Sequence, residues 1–195
     1  MQPVPERPQS EVPGRLNQLS LRPLTRCDLS GEQIPVAAEV IEARLRQQAV
    51  CLGAFRRDEL VGYLWYSPRQ YLEDEVLCRY ALEPAAASVF DFDLYILPKY
   101  RMGRAFTGIW YSANEHLRER GVRYTFSRIS KFNTASLRAH AHLGCRRIAT
   151  ALFLRAWSLQ LMLSGMRPYV HLSFGSARPV ELRLAASAAL VVSRP

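Results

Sequence analysis

The segment from Val89 to Cys145 constrains the fold of this 195-residue chain more than any other feature. An apolar strand ends at Pro98 and is followed by a turn that contains Gly103, an amphipathic helix, a second strand and a helix that opens at Asn133. Backbone N–H groups can hold a phosphate where a glycine turn leads from a strand into a helix N-terminus. The order of elements therefore indicates an α/β chain with an anion site at the end of a strand.

The composition indicates a globular chain with a sizeable core, because 49% of the residues are apolar and only 10 are glycine. Its 26 Lys and Arg residues outnumber 17 Asp and Glu residues. A basic surface attracts phosphate-rich cofactors, nucleic acid and acidic proteins without distinguishing among them. The four cysteines have no C-x-x-C spacing, which predicts neither a zinc site nor a disulfide framework. Without a leader-like start or an apolar run of ~18 residues, a cytoplasmic protein with no membrane span is expected.

Three regions are predicted along the chain. Residues 1–18 contain four prolines among polar neighbours, which predicts a disordered tail. Residues 19–157 form the core domain, and residues 158–195 form an extension that completes the sheet. Within this extension Tyr169–Phe174 alternates like a closing strand, whereas Val180–Val192 fits a strand or a helix equally well.

The first half of the core domain predicts a strand, a helix and a hairpin. Leu19–Leu24 alternates apolar and polar residues, and Ile34–Ala49 has apolar residues at helical spacing. Cys51–Phe55 and Leu60–Tyr66 are apolar runs separated by the charged loop Arg56–Glu59, which predicts two antiparallel strands. Residues 67–88 have a weak pattern with an acidic cluster, and their structure is left open.

The second half of the core domain has a clearer pattern. From residue 88 to residue 97, Asp91 and Asp93 alternate with aromatic and aliphatic residues, so both carboxylates are expected on one face of a strand. The helix after Gly103 carries an apolar stripe that includes Trp110. The remaining predicted elements are a strand at Val122–Ile129, a helix capped by Asn133 through Leu143, and a strand at Arg146–Trp157.

Residues 89–152 resemble the core of the GNAT acyltransferase superfamily. The family joins a strand of the type L-x-V-x-P to a loop of the type Q/R-x-x-G-x-G/A, and the corresponding residues are Leu94–Pro98 and Tyr100–Ala105. A second family signature is matched at its spacings by Asn133, Ser136, His140, Gly144 and Cys145. The resemblance implies an α/β (α+β) fold: a central mixed, mostly antiparallel twisted sheet of six to seven strands, flanked by helices and splayed in a V at the acyl-CoA site.

The sequence departs from the family pattern in three places. Between Pro98 and Gly103 the loop is one residue shorter, so either Tyr100 or Arg101 can take its first position. Ala105 replaces the last glycine of the loop. His140 stands where the family usually has the tyrosine that protonates the leaving thiolate of CoA, and a histidine can also donate a proton near neutral pH. A helix-surface histidine without a role is the alternative.

The resemblance also implies how acyl-CoA is held. Backbone N–H groups of the strand would bind the thioester carbonyl and the pantetheine arm, and those of the loop and helix start would bind the pyrophosphate with help from two arginines. The cofactor-binding residues expected on this basis are Leu94, Tyr95, Ile96, Arg101, Met102, Gly103, Arg104, Ala105, Phe106, Asn133 and Ser136. No metal is expected.

Two residues are candidates for proton transfer. Asp93 could take the proton of the attacking amine, directly or through water, with Arg128 as its partner. Asp91 and Glu75 are alternatives for this base, and a solvated surface carboxylate is the competing interpretation of Asp93. His140 is the candidate acid.

Two classes of function remain open at this point. The leading one is an N-acyltransferase, most directly an N-acetyltransferase, that uses acetyl-CoA or another acyl-CoA and an unidentified small-molecule or protein amine. A variant of it uses longer acyl groups, also from an acyl carrier protein, whose acidic surface suits a basic partner. The rival is a non-catalytic module that binds CoA or nucleic acid, although nucleic acid is not the expected partner. Surplus apolar residues after residue 158 suggest a homodimer contact or a wall around a long acyl chain, and additional core within the chain is an equally good interpretation.

Overall fold

The computed structural model describes residues 1–5, 19–101, 104–175 and 178–187. The chain divides into two compact units. The N-terminal unit comprises Val4–Ser67 and Asp91–Arg123, and the C-terminal unit comprises Met1–Pro3, Pro68–Phe90 and Tyr124–Pro195. No helix in the described part of the chain is long and apolar enough to cross a membrane.

The N-terminal unit contains the strand, helix and hairpin that the sequence predicts. Its elements are β2 (Leu19–Pro23), α1 (Arg26–Leu29), α2 (Ala38–Arg46), β3 (Val50–Arg56), most of β4 (Glu59–Pro68) and α3 (Ala105–Glu119). The helix predicted over Ile34–Ala49 is shorter, because a residue before proline avoids helical torsions and Pro35 follows Ile34. The β3–β4 hairpin is confirmed, with a turn of only Arg57 and Asp58 and a φ of 57° at Arg57.

The C-terminal unit holds most of the remaining strands and one helix. They are β1 (Gln2–Pro3), β5 (Gln70–Leu72), β6 (Cys78–Glu83), β8 (Tyr124–Ser127), α4 (Thr134–His142), β9 (Ala151–Ala156), β10 (Leu159–Ser164), β11 (Val170–Phe174) and β12 (Val180–Ala185). The sequence patterns predict β8, α4, β9 and β11, but with longer bounds for each of them. Residues 188–192, for which strand and helix were both left open, lie outside the described residues.

The terminal regions differ from their predicted roles. Gln2 and Pro3 pair with Thr125 and Tyr124 of β8, so this part of the expected tail is a strand, held by the backbone hydrogen bonds that β8 offers. Residues 6–18 lie outside the described residues. The strands in the described residues of the extension, which was predicted to complete the central sheet, belong to two other sheets. Strands β10 and β11 form an antiparallel sheet with β9, and β12 runs parallel to β6 in a sheet that also contains β5.

One of the sheets has six strands. Its order is β1-β8-β7-β4-β3-β2, where β7 (Ser88–Ile96) contributes Ser88–Phe90 to the C-terminal unit and Asp91–Ile96 to the N-terminal unit. The mixed sheet of six strands with helices, expected from the resemblance, is confirmed. The V-shaped splay of its strands stays a prediction.

Stacked aromatic rings fill the core of each unit. In the N-terminal unit, Trp65 stacks on Phe92 with ring centroids 6.2 Å apart, and Tyr63 stacks on Tyr95 at 5.4 Å. In the C-terminal unit, the Phe90 ring stacks on those of Tyr71 and Tyr80, at 5.0 and 4.7 Å. Aromatic pairs at these distances stabilise a core beyond the area that they bury. Trp110 is buried in α3, as its place on the apolar stripe predicts.

Gly62 of β4 is required by the close approach of the end of β7. A Cβ atom at this position would lie 2.4 Å from the carbonyl oxygen of Tyr95 and 3.1 Å from Cα of Ile96. The next residues are tied to β4 as well, because the N–H of Leu97 donates to the carbonyl of Val61 at 3.0 Å. The backbone of β7 at Tyr95 and Ile96 is therefore held in direct contact with the backbone of Gly62.

We expect Gly62→Ala to lower the free energy of unfolding by about 1–3 kcal/mol, because the added methyl group meets backbone atoms that cannot turn away. Urea unfolding followed by circular dichroism measures this change. Gly165→Ala is the matched control, since its Cβ would come no closer than 3.7 Å to any neighbour. Equal stability of the Gly62→Ala and Gly165→Ala variants would contradict the close approach.

Candidate active site

The segment after β7 ends in a helix N-terminus suited to an anion. A 3-10 turn at Pro98–Tyr100 leads toward α3, which begins at Ala105 with Arg104 as its N-cap residue. The first turn of α3 contains no acidic residue, and the Arg104 side chain is exposed. Because the first N–H groups of a helix have no intrahelical partner and lie at the positive end of its dipole, this end favours a negative charge. Met102 and Gly103, predicted to bind the cofactor, lie outside the described residues.

Arg101 is fixed against the end of β7. Its Nε donates to the carbonyl of Ile96 at 2.9 Å, and its guanidinium lies 5.2 Å from the ring centroid of Tyr95. In the adjoining turn Lys99 and Tyr100 both bind the carboxylate of Glu59. The structure thus places Arg101 at the strand segment Leu94–Ile96 that was predicted to meet the thioester.

Asp93 interrupts the regular alternation of β7. Its φ is 49°, a left-handed conformation that aspartate adopts more readily than most residues. Asp91 is buried, with 3% of its surface exposed, whereas the side chain of Asp93 is 33% exposed. The prediction that the two carboxylates share one face therefore misses the kink between them, and Asp93 is the one that solvent can reach.

Arg44 of α2 is the partner of Asp93. Its Nη1 donates to Oδ2 of Asp93 at 2.6 Å, while its side chain is only 9% exposed. The guanidinium lies 5.2 Å from the Trp65 ring and 5.1 Å from the Phe92 ring, close enough for a cation–π interaction with each. A shielded guanidinium fixed by two aromatic rings holds the Asp93 carboxylate in one orientation.

Arg128, which was predicted to pair with Asp93, binds two carboxylates of its own unit. Arg128 binds Glu73, with its Nε 3.1 Å from Oε2, and also contacts the carboxylate of Glu75. The backbone carbonyl of Glu75 accepts a further hydrogen bond from Arg155 at 2.6 Å. Burial raises the pKa of Glu73, and Arg128 opposes this shift. Glu75, an alternative candidate base, is therefore part of an ion-pair cluster within the C-terminal unit.

The sequence contained one signal for Arg44 that the predictions overlooked. Arg44 lies three residues after Ile41 and next to Leu45, so it interrupts the apolar stripe of its helix. A charged residue on a core-facing stripe is buried only with a partner. That partner lies 49 residues further along the chain, and no spacing rule connects the two positions.

Two other ionisable side chains near Asp93 stay neutral at neutral pH. Burial raises the pKa of the Cys51 thiol and of the Tyr63 hydroxyl far above their usual ranges, and the negative charge of Asp93 adds to both shifts. Neither group can act there as a base. In this part of the N-terminal unit, Asp93 is the exposed carboxylate that can interact with a positively charged amine.

Three residues of the second family signature come together in α4. The Asn133 side chain caps the helix, because its Oδ1 accepts from the N–H of Ser136 at 3.1 Å, as predicted. The Ser136 hydroxyl lies 3.3 Å from Nδ1 of His140, and the Ser136 carbonyl lies 2.8 Å from the same nitrogen. A carbonyl only accepts, so Nδ1 of His140 carries the proton.

The His140 ring is buried, with 8% of its surface exposed. Burial lowers the pKa of its imidazole below the ordinary value, although the hydrogen bond to Ser136 opposes this shift. At neutral pH the ring is therefore neutral, with its proton on Nδ1 and a lone pair on Nε2. This form accepts a proton at Nε2, and donating one from there requires the imidazolium.

The described site residues fall into two groups, each within one unit. Asp93, Leu94–Ile96, Arg101 and Arg104–Phe106 belong to the N-terminal unit, at the end of β7 and the start of α3. Asn133, Ser136 and His140 belong to the C-terminal unit, in and before α4. Among the residues that the structure describes, no group of three or more His, Cys, Asp or Glu side chains could hold a metal ion.

We expect the free energy of unfolding to fall as the pH is lowered from 7.5 to 5.5, partly because of His140. Its folded-state pKa lies below the usual value of about 6.5, so the unfolded chain takes up a proton that the folded chain resists. The stability that the neutral His140 contributes is fully present above a pH of about 6.5, and it is lost as the pH falls below that value. His140→Gln should lose less stability over this range, measured by urea unfolding at both pH values.

His116 adds to this pH dependence, because burial lowers its pKa as well. The His140→Gln variant should therefore keep part of the acid sensitivity, and His116→Gln provides the matched comparison. A His140→Gln variant that loses as much stability as the parent protein would contradict a neutral, buried His140.

Comparison with known proteins supports the fold at the level of solved structures. No family model and no curated protein sequence matches the chain. Its fold is similar to that of the aminoglycoside N-acetyltransferase AAC(6')-Iy, solved in complex with CoA (17% identity, 70% of this chain, 98% of that chain, TM-score 0.51). It is equally similar to the aminoglycoside 6'-N-acetyltransferase AAC(6')-Ih from Acinetobacter baumannii (17% identity, 71% and 97%, TM-score 0.51).

A third similar structure is a transcriptional regulator from Bacillus halodurans C-125 (15% identity, 71% of this chain, 99% of that chain, TM-score 0.51). Identities this low leave substrate and mechanism undetermined, so what these structures share with the chain is its architecture. The resemblance that the strand, the loop and the capped helix indicate in the sequence is matched by these neighbours: the chain has the fold of the GNAT acetyltransferase superfamily.

Proposed function

We propose that this protein is an N-acyltransferase that moves an acyl group from an acyl-CoA, first of all acetyl-CoA, to a primary amine. The observation that carries the proposal is the position of Asp93. This carboxylate is held at a left-handed kink by a shielded arginine, directly before the strand segment Leu94–Ile96 that the resemblance assigns to the thioester. Strained backbone at a solvent-accessible, ion-paired carboxylate is characteristic of functional sites.

The start of α3 would hold the cofactor's phosphates. Its first N–H groups and the exposed guanidinium of Arg104 favour a pyrophosphate, and no acidic side chain in the first turn opposes it. Arg101, fixed on Ile96 and Tyr95, adds a positive charge at the junction between strand and helix. That the similar structure AAC(6')-Iy was solved with CoA supports this choice of ligand.

The reaction would proceed by direct attack in a ternary complex. The amine nitrogen forms a bond to the thioester carbonyl carbon, the carbonyl electrons move onto oxygen, and the C–S bond then breaks to release CoA as a thiolate. Backbone N–H groups near Leu94–Ile96 would stabilise the oxyanion. Asp93 would attract the incoming ammonium and take its proton directly or through water, while Arg44 keeps the carboxylate in place.

The proposed role of His140 as the acid depends on its charge. An imidazolium could return a proton to the leaving sulfur, but burial disfavours that form at neutral pH. The role of His140 as an acid therefore stays a prediction, and it requires the rate to fall as the pH rises above the lowered pKa. If the leaving thiolate instead takes its proton from water, replacing His140 leaves the rate unchanged at low pH as well, where the imidazolium is most populated.

Two alternatives have a specific observation in their favour. Use of long-chain acyl groups, from acyl-CoA or from acyl carrier protein, is favoured by the excess of nine positive charges, which suits an acidic carrier. A non-catalytic binding module is favoured by the neutral histidine at the tyrosine position. Release of free CoA from acetyl-CoA and from long-chain acyl-CoA, with a panel of amines, separates the three. Activity with long-chain thioesters alone would support the first alternative, and CoA binding without any turnover would support the second.

Asp93→Asn should lower kcat about 100-fold or more, the usual effect of losing a general base, while acetyl-CoA still binds. Thiol release measures the rate, and calorimetry measures binding. Glu32→Gln is the control, because it removes an exposed carboxylate outside the site. A kcat for Asp93→Asn equal to that of the control would exclude Asp93 as the base. His140→Phe, assayed from pH 6 to 8.5, shows in the same experiment whether the imidazolium contributes.

Arg104→Glu should weaken acetyl-CoA binding at least about 10-fold, because it places a negative charge at the positive end of α3. Arg178→Glu makes the same change in net charge at another exposed arginine and should bind acetyl-CoA like the parent protein. Calorimetric titration of both variants measures the difference. Equal dissociation constants would remove the α3 N-terminus from the site.

A further inference from the structure

The outer face of the sheet formed by β9, β10 and β11 is entirely apolar. Strand register places its residues in three rows of three across the sheet. The rows are Leu152-Leu163-Val170, Leu154-Leu161-Leu172 and Ala156-Leu159-Phe174. We call these nine side chains the outer leucine face. All except the central Leu161 are exposed, and the seven large ones among the exposed residues show between 39 and 71% of their surface.

The sheet turns its more polar side toward its own unit. Gln160, Met162 and Ser173 alternate with the outer leucine face and are buried. The Gln160 side chain accepts from the N–H of Leu77 at 2.8 Å and donates to the carbonyl of Leu77 at 3.0 Å. Half-buried antiparallel sheets normally place apolar residues inward and polar residues outward. Here the pattern is reversed, so the apolar face is directed at something other than the core of its own unit.

The extent of this face is that of a stable interface. The exposed parts of the nine side chains amount to roughly 800 Å², about what one partner contributes to an interface of standard size. The largest apolar patch on a typical monomer is smaller, about 300–600 Å². Such a surface, left in water, would be an aggregation site.

From this geometry we infer that the outer leucine face is the homodimer interface, with the same face of a second copy as its occupant. None of its nine residues is charged, so a charged partner would find no complementary group there. An uncharged, all-apolar interface is typical of obligate homodimers. Two sheets pack face to face about 10 Å apart, and a two-fold axis would set each row against a row of the other copy.

The excess positive charge of the chain predicts how salt affects this dimer. Each copy carries a net charge of +9, so two copies repel one another through charges that lie outside the outer leucine face. Salt screens such repulsion over about 8 Å at physiological ionic strength and does not weaken apolar contacts. Dimerisation should therefore strengthen between 50 and 500 mM NaCl, whereas binding to an acidic partner would weaken.

Sedimentation velocity of the full chain, from 0.5 to 50 μM, tests the inference. The parent protein should sediment at twice the mass of one chain, and Leu172→Glu and Leu154→Glu should each raise the dimer dissociation constant roughly 30-fold or more. Phe132→Glu is the matched control: it makes the same change at an exposed apolar residue outside the face, and it should remain dimeric. Circular dichroism and thermal unfolding verify that each variant is folded.

Three results would overturn the inference. They are a parent protein that stays monomeric over the whole concentration range, a dimer that both glutamate variants leave intact, and a dimer that salt dissociates. Phosphatidylcholine vesicles included in a parallel flotation assay distinguish a lipid surface, because a monomer that floats with the vesicles would assign the face to a membrane instead. The outcome does not depend on acyl transfer, since no enzymatic activity is measured.

Discussion

The ion pair between Arg44 and Asp93 is the interaction on which the proposed site depends. A left-handed φ at a residue with a side chain costs on the order of 1–3 kcal/mol and persists only where surrounding contacts require it. Arg44 supplies that contact, and it is itself fixed by the rings of Trp65 and Phe92. Helix α2, the β3–β4 hairpin and the kinked strand β7 are therefore coupled at one carboxylate. Loss of Arg44 would release both the charge and the backbone that follows it.

Most elements of the fold could be predicted from local patterns, and the misses have physical reasons. The strand before Pro98 and the helix capped by Asn133 are determined by residues that act within a few positions of themselves. The partner of Asp93 was not predictable in this way, because Arg44 reaches it through tertiary packing. The kink at Asp93 was hidden for a related reason, since alternation shows which residues are apolar but not where a strand departs from a regular pleat.

The C-terminal region gave the weakest signals and the largest departure. Apolar alternation correctly indicated the strand β11, whereas the residues of β10 were recognised only as surplus apolar surface, and alternation itself does not say which side of a sheet meets the core. Only the burial of Gln160 and Ser173 shows that the apolar side is directed outward. Periodicity in a sequence therefore identifies an amphipathic sheet. Whether its apolar face packs on the same chain or on another molecule is decided by contacts between residues distant in sequence.

The two hydrogen bonds between the Gln160 side chain and the backbone of Leu77 help to set the register of β10. If the register of β10 shifted by one residue, Leu159, Leu161 and Leu163 would face the interior of their own unit and Gln160 would face outward. Within a single chain, the hydrophobic effect alone favours that arrangement. It would also leave the N–H and carbonyl of Leu77 without the amide that satisfies both. The buried Gln160 thus opposes the shifted register in which the three leucines of β10 are hidden, and a chain with leucine at this position would lack that opposition.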